Sequence, residues 1–431
     1  AKCDVRPKWR PSGDTAAGPT FEVVYGTGGA DLTVASAHVS LGGVTIEKGS
    51  LCAIVDQKAG ADGFNLFPAE SDPVCYNTYA GILGLAYRGQ DAGPLPGGAS
   101  GTANGTTVPL LDQLVAGAGM PNAFALELCD RYPMPCGPRV DLETWEPSRS
   151  CDVNFPIGNF YLGGYRSSSL AGDMQFTPIT DEIHYDVKLL GVEVCGASGC
   201  LNVSFPDKIG GETEDACVCH TPDCAIPLEP DEYCFFTVID SGADGVYMNT
   251  VNNTHALLDA MISVGMVTFP PGQNSSEVVR SFYFQQTPVK GARPAPQSGL
   301  TFYFPDEQGG AFGLRVPSGH LFHFTFAGLV PTAVTGLEAS KAFQAAKFPV
   351  LLGAPVLQGK VAFFDRSRRR LGFADVDPRR CGAPVLQDSE IDVRGLRVET
   401  PGAGCRRGTG SGGGCPQAKR PGPHAPGQGG A

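Results

Sequence analysis

Phe235-Phe236-Thr237-Val238-Ile239-Asp240-Ser241-Gly242 is the stretch on which the reading of this chain turns. Aromatic and β-branched residues in an unbroken run favour an extended strand. The change to Asp-Ser-Gly ends that strand in turn residues, so a carboxylate stands at the strand tip beside a hydroxyl and a glycine. An acid held this way suits general acid-base chemistry. The triplet alone is also ordinary turn chemistry, so its meaning depends on the segments around it.

The wider sequence reads as a turn-rich β protein. A chain of 431 residues is long enough for two lobes with their own cores, and 58 Gly with 36 Pro favour strands and turns over helices. Residues 21–25 and 32–39 alternate roughly with period two, as half-buried strands do. The one helix that periodicity predicts spans residues 254–264, where Ala256, Leu257, Ala260, Met261 and Val264 recur at helical spacing.

Charge narrows the function classes. A net charge of -12 argues against a nucleic-acid surface, which needs clustered Lys and Arg, and no nucleic-acid partner is expected. The basic run at residues 366–370 reads as a solvated hairpin turn. No stretch of eighteen apolar residues occurs, so no membrane span is expected.

Fifteen cysteines and the N-x-[ST] triplets at Asn104, Asn202, Asn252 and Asn274 point to the secretory pathway, either extracellular or a vacuole- or lysosome-like compartment. Six cysteines, Cys195, Cys200, Cys217, Cys219, Cys224 and Cys234, crowd the segment ahead of the Asp240 strand. Cys217, Cys219, His220 and Cys224 have ligand types that suit zinc. A disulfide-stapled insertion over about 195–234 is the better reading under oxidising conditions, and six cysteines allow fifteen pairing schemes. Neither a metal nor another cofactor is expected.

Other segments then fall into a colinear order. Val24-Tyr25-Gly26-Thr27-Gly28-Gly29 resembles the flap hairpin of the pepsin-like aspartic protease family, with Tyr25 in the place of its flap tyrosine. Gly81-Ile82-Leu83-Gly84-Leu85-Ala86-Tyr87 resembles the strand that threads under the first catalytic loop. Residues 108–114 and 124–128 are similar to a short helix and the strand after it. Phe160-Tyr161-Leu162-Gly163-Gly164 is similar to the strand closing the first lobe. Val350-Leu351-Leu352-Gly353 resembles the second lobe's threading strand, and residues 361–366 and 371–374 its closing hairpin.

This resemblance, over about residues 20–380, implies a mostly β, bilobal pepsin-like fold. The lobes would span 1–165 and 166–385, followed by a disordered Gly/Pro-rich tail over 386–431. It implies an aspartic endopeptidase acting as a monomer on protein or peptide substrates. Asp240 would be catalytic, Ser241 and Gly242 would complete its loop, and Tyr25, Gly26 and Thr27 would cover the substrate.

Two departures qualify that implication. The family carries a first D-[ST]-G ahead of its flap, whereas residues 1–24 contain none. Residues 3–20 are therefore read as the loop after a missing first catalytic strand, with the first lobe incomplete at its N-terminus. The family also follows Asp-[ST]-Gly with Thr or Ser, where this chain has Ala243 and then Asp244. Ala243 cannot donate a hydrogen bond to the carboxylate, and Asp244 adds a nearby negative charge. An inactive, secreted pepsin-fold binding or inhibitor protein is the alternative expectation.

Overall fold

A computed structural model describes residues 20–25, 28–59, 83–87, 109–130, 139–140, 147–148, 158–181, 184–206, 235–243, 245–248, 250–325, 328–331, 350–382 and 391–392. The architecture is mostly β. Its largest unit is a nine-stranded sheet in the order Val246–Tyr247, Val350–Leu352, Phe235–Ile239, Asp186–Leu189, Gln175–Asp181, Arg370–Asp375, Lys360–Asp365, Ala123–Leu128 and Gly158–Leu162. Strands from both sides of position 165 meet in it, because Ala123–Leu128 pairs antiparallel with Lys360–Asp365.

Burial on both faces of this sheet explains the sequence of its middle. Every residue of Lys360–Asp365 is buried, as a strand covered on two sides requires of a nearly continuous apolar run. Successive side chains serve opposite faces. Phe364 stacks on Phe124 with ring centroids 4.4 Å apart within the main core, while Phe363 packs with Ala123, Ala125 and Tyr161 in a smaller cluster. The main core extends to Leu257, Met261 and Phe282 on two helices and to Leu300, Phe302 and Phe304 on the strand Gly299–Pro305.

Local expectations mostly hold. The alternating segments 21–25 and 32–39 lie in the strands Thr20–Tyr25 and Gly28–Leu41, which pair antiparallel. The periodic helix is Val251–Ser263, capped by Thr250, whose side chain accepts from the Asn253 N–H at 3.1 Å. The helix that the resemblance implies near 108–114 is Leu110–Ala118, and a further helix, Ser276–Gln285, is one that the sequence reading missed. Ser275 caps it and accepts from the Val278 N–H at 3.3 Å. Ser275 with Glu277 in the first turn was the start signal, and the short apolar stretch behind it hid the period.

Three further expectations are corrected. Residues 83–87 pair with no strand among the described residues, and Leu83 is 44% exposed; Leu85 and Tyr87 instead lean on the core. The basic run does form the hairpin turn between Lys360–Asp365 and Arg370–Asp375, but its two ends are not solvated. Arg366 has a side chain only 2% exposed, 2.6 Å from the Asp112 carboxylate and over the Tyr87 ring, and Arg370 binds Asp365 and Glu307. The supposed tail contributes a strand, Ile391–Asp392, paired with Tyr165–Arg166.

Two disulfides lie among the described residues, Cys129–Cys381 and Cys195–Cys200. The second closes a hairpin between Gly191–Gly196 and Gly199–Asn202 in a four-stranded sheet. The other four clustered cysteines lie outside the described residues. No helix among the described residues is long and apolar enough to cross a membrane.

Candidate functional site

Asp240 leaves the strand Phe235–Ile239, whose Thr237, Val238 and Ile239 are buried. That strand lies between Asp186–Leu189, antiparallel, and Val350–Leu352, parallel. The parallel register aligns Ile239 with Leu352 and continues one step further, since the Asp240 N–H donates to the Leu352 carbonyl at 3.0 Å. The strand tip is thus fixed by backbone hydrogen bonds before any side chain acts.

The loop then folds back on itself. The Ala243 N–H donates to the Asp240 carbonyl at 3.1 Å, and the Gly242 N–H donates to Asp240 Oδ1 at 2.8 Å. Asp240 is half-buried, with Ser241 and Gly242 exposed. After the loop, Val246–Tyr247 returns antiparallel on the far side of Val350–Leu352. The threading strand is therefore clasped between the segments before and after the Asp240 loop.

That clasp requires glycine at 353. The Gly353 N–H donates to the Gly245 carbonyl at 2.9 Å, and the Ala354 N–H to the Ala243 carbonyl at 2.8 Å. A Cβ on residue 353 would lie 2.3 Å from the Ala243 oxygen and 2.5 Å from the Gly245 oxygen. The apolar-apolar-Gly pattern and the Asp-Ser-Gly turn, 110 residues apart in sequence, are thus two halves of one backbone structure.

Among the described residues the Asp240 carboxylate has one hydrogen-bond donor, the Gly242 N–H. Ala243 adds none, as its methyl side chain dictates. Asp186 is opposite Val238 in the ladder, which makes it a diagonal neighbour of Asp240 at about 7–8 Å between Cα atoms.

Tyr25 ends its strand and pairs with Gly28 across a hairpin. Gly26, Thr27 and Asp244 lie outside the described residues, as do Cys217, Cys219, His220 and Cys224 of the zinc reading. Glu193, Cys195 and Cys200 lie close enough together to hold an ion, but both sulfurs are tied up in a disulfide and offer no thiolate.

Two polar arrangements were not foreseen. Glu127 is fully buried and accepts from Tyr161 Oη at 2.7 Å, Asn159 Nδ2 at 2.8 Å and the Gly382 N–H at 2.9 Å. Three donors satisfy the carboxylate, and its work is structural. His320 Nε2 meets Asp130 Oδ1 at 2.5 Å at a surface hollow of about 840 Å3 walled by Phe269, Pro271, Arg293 and Arg315. Asp240 does not line that hollow. The partners are 190 residues apart, and no local pattern links them. No family model matches the chain.

Proposed function

We propose that this chain belongs to an aspartic-type endopeptidase, with Asp240 as one of the two acids that hydrolyse internal peptide bonds. The observation that carries this reading is the clasp: Asp240 projects from a loop whose two flanks grip Val350–Leu352, with Gly353 forced by contact. Such a loop holds a carboxylate rigidly at a strand tip and half-exposed, which is what an acid-base group meeting a substrate needs.

In the proposed chemistry two close carboxyls share one proton. The ionised partner takes a proton from water as the water attacks the peptide carbon. The protonated partner donates to the carbonyl oxygen, and a proton then passes to the leaving amine. Ser241 ties the two acid loops together, and Tyr25, Gly26 and Thr27 cover the substrate. The substrate is an extended peptide held through its backbone, and the secretory pathway is the setting.

The second acid is not supplied by another Asp-[ST]-Gly, because the 431 residues contain that triplet once. The chain on its own is therefore expected to cleave little. Ala243 favours a second reading, a pepsin-fold protein that binds peptides without cutting them, since the carboxylate lacks a hydroxyl donor there.

The experiment compares three proteins at acidic pH on an unfolded protein substrate: the chain itself, the chain extended upstream by an apolar strand ending in Asp-Thr-Gly, and that extended chain with Asp240→Asn. Cleavage by the second alone supports the endopeptidase. An inert extended chain that still binds the substrate supports the binding protein.

A further inference from the structure

Three of the four N-x-[ST] triplets fall within the described residues, and their surroundings differ. Attachment to such a triplet requires one enzyme to reach the Asn amide and the hydroxyl two residues later. The two groups must therefore be presented together.

Asn202 is the last residue of Gly199–Asn202, a strand whose four residues are all exposed and which forms one edge of the four-stranded sheet. The chain continues without regular structure, and Ser204 is exposed like Asn202, while Val203 turns inward between them. Asn274 lies in the turn just ahead of the helix Ser276–Gln285, residues 271–277 are all exposed, and Ser276, which carries the partner hydroxyl, is the helix's exposed first residue.

Asn252 is different. It is the second residue of the helix Val251–Ser263, and a helix turns about 100° per residue, so residues 252 and 254 point to nearly opposite sides. Thr254 is only 2% exposed, and its hydroxyl donates to the Thr250 carbonyl at 2.9 Å. The amide and the hydroxyl of this triplet cannot be met from one side.

We propose that Asn202 and Asn274 carry N-linked glycans, that Asn252 does not, and that the glycan on Asn202 covers the open sheet edge. The donor is an oligosaccharide on a lipid diphosphate. The Asn Nδ2 forms the bond to sugar C1 as the C1–O bond to phosphate breaks; the lipid diphosphate leaves with the electron pair, and the amide gives one proton to a base. The edge needs such cover, because an exposed strand offers unpaired backbone groups to other chains and Leu201 adds an apolar side chain 42% exposed.

The test translates the full chain into glycosylating microsomes, behind a cleavable signal sequence and ahead of an appended reporter triplet whose glycosylation proves entry. Enzymatic glycan release in heavy-oxygen water then converts each occupied Asn to labelled Asp, read by peptide mapping. Label at Asn202 and Asn274 with Asn252 unlabelled is the expected result. Reporter-positive protein with Asn202 or Asn274 bare, or with Asn252 occupied equally, overturns the assignment. Asn202→Gln should lose one glycan and associate more than the parent, whereas Asn274→Gln should lose one without that change. Glycan removal from the folded parent gives the same readout without a substitution. If neither treatment increases association, the edge-covering role is wrong.

Discussion

A Cβ on Gly353 would lie 2.3 Å from the carbonyl oxygen of Ala243, closer than any side-chain carbon tolerates. The contact forms because Val350–Leu352 passes between the two flanks of the Asp240 loop. Gly353→Ala should therefore push the Asp240 loop outward and destabilise the protein by about 1–3 kcal/mol, the usual cost of overpacking. Denaturant unfolding measures the loss. A variant as stable as the parent would mean that the clasp is looser than described.

The two disulfides should differ in worth. Cys129–Cys381 joins residues 252 apart in sequence, and Cys195–Cys200 joins residues 5 apart. The longer loop removes more entropy from the unfolded chain. Replacing Cys129 and Cys381 by Ser should cost about 2–5 kcal/mol, and the same change at Cys195 and Cys200 less. Equal or reversed losses in thermal unfolding would refute this.

Arg366 depends on Asp112. The guanidinium is buried, with the carboxylate 2.6 Å away, so Asp112→Asn leaves a buried charge uncompensated at roughly 3–5 kcal/mol. Arg366→Met should cost less, because it removes the charge and keeps the volume. Chemical denaturation of both variants tests the order, and a milder effect from Asp112→Asn would contradict it.

Alkali should unfold the protein through its buried phenols. Burial raises Tyr161, Tyr185 and Tyr283 above their ordinary value of 10.0, and the hydrogen bond to Glu127 raises Tyr161 further. The folded state holds these protons more tightly than the unfolded one, so the stability they contribute is complete below pH 10 and falls as pH rises beyond it. Phenolate absorbance should show these three of the 12 tyrosines ionising only as tertiary structure is lost. All twelve titrating together with the fold intact would be the contrary result.

Local patterns were readable and long-range meetings were not. The run before Asp240, the Val350-Leu351-Leu352-Gly353 segment and the hairpin of Lys360–Asp365 with Arg370–Asp375 each carry their strand signal within a few residues. The burial of Arg366 rests on Asp112 and Tyr87, which are distant in sequence. A basic run looks the same whether its partners are water or carboxylates. Cys129–Cys381 and His320–Asp130 were hidden for the same reason. Around Asp240 the sequence supplied the acid and its turn, whereas the requirement for Gly353 follows only from the threading of the distant strand.

The central claim is that Asp240 is one of two acids in peptide hydrolysis. Its most direct measurement is kcat/KM for an internally quenched peptide at acidic pH, on the chain extended upstream through an Asp-Thr-Gly strand, with and without Asp240→Asn. Loss of one acid-base participant should lower the rate by roughly 10²- to 10⁴-fold, with thermal unfolding unchanged. Equal rates for the two proteins, or no cleavage by the extended parent, would contradict the claim.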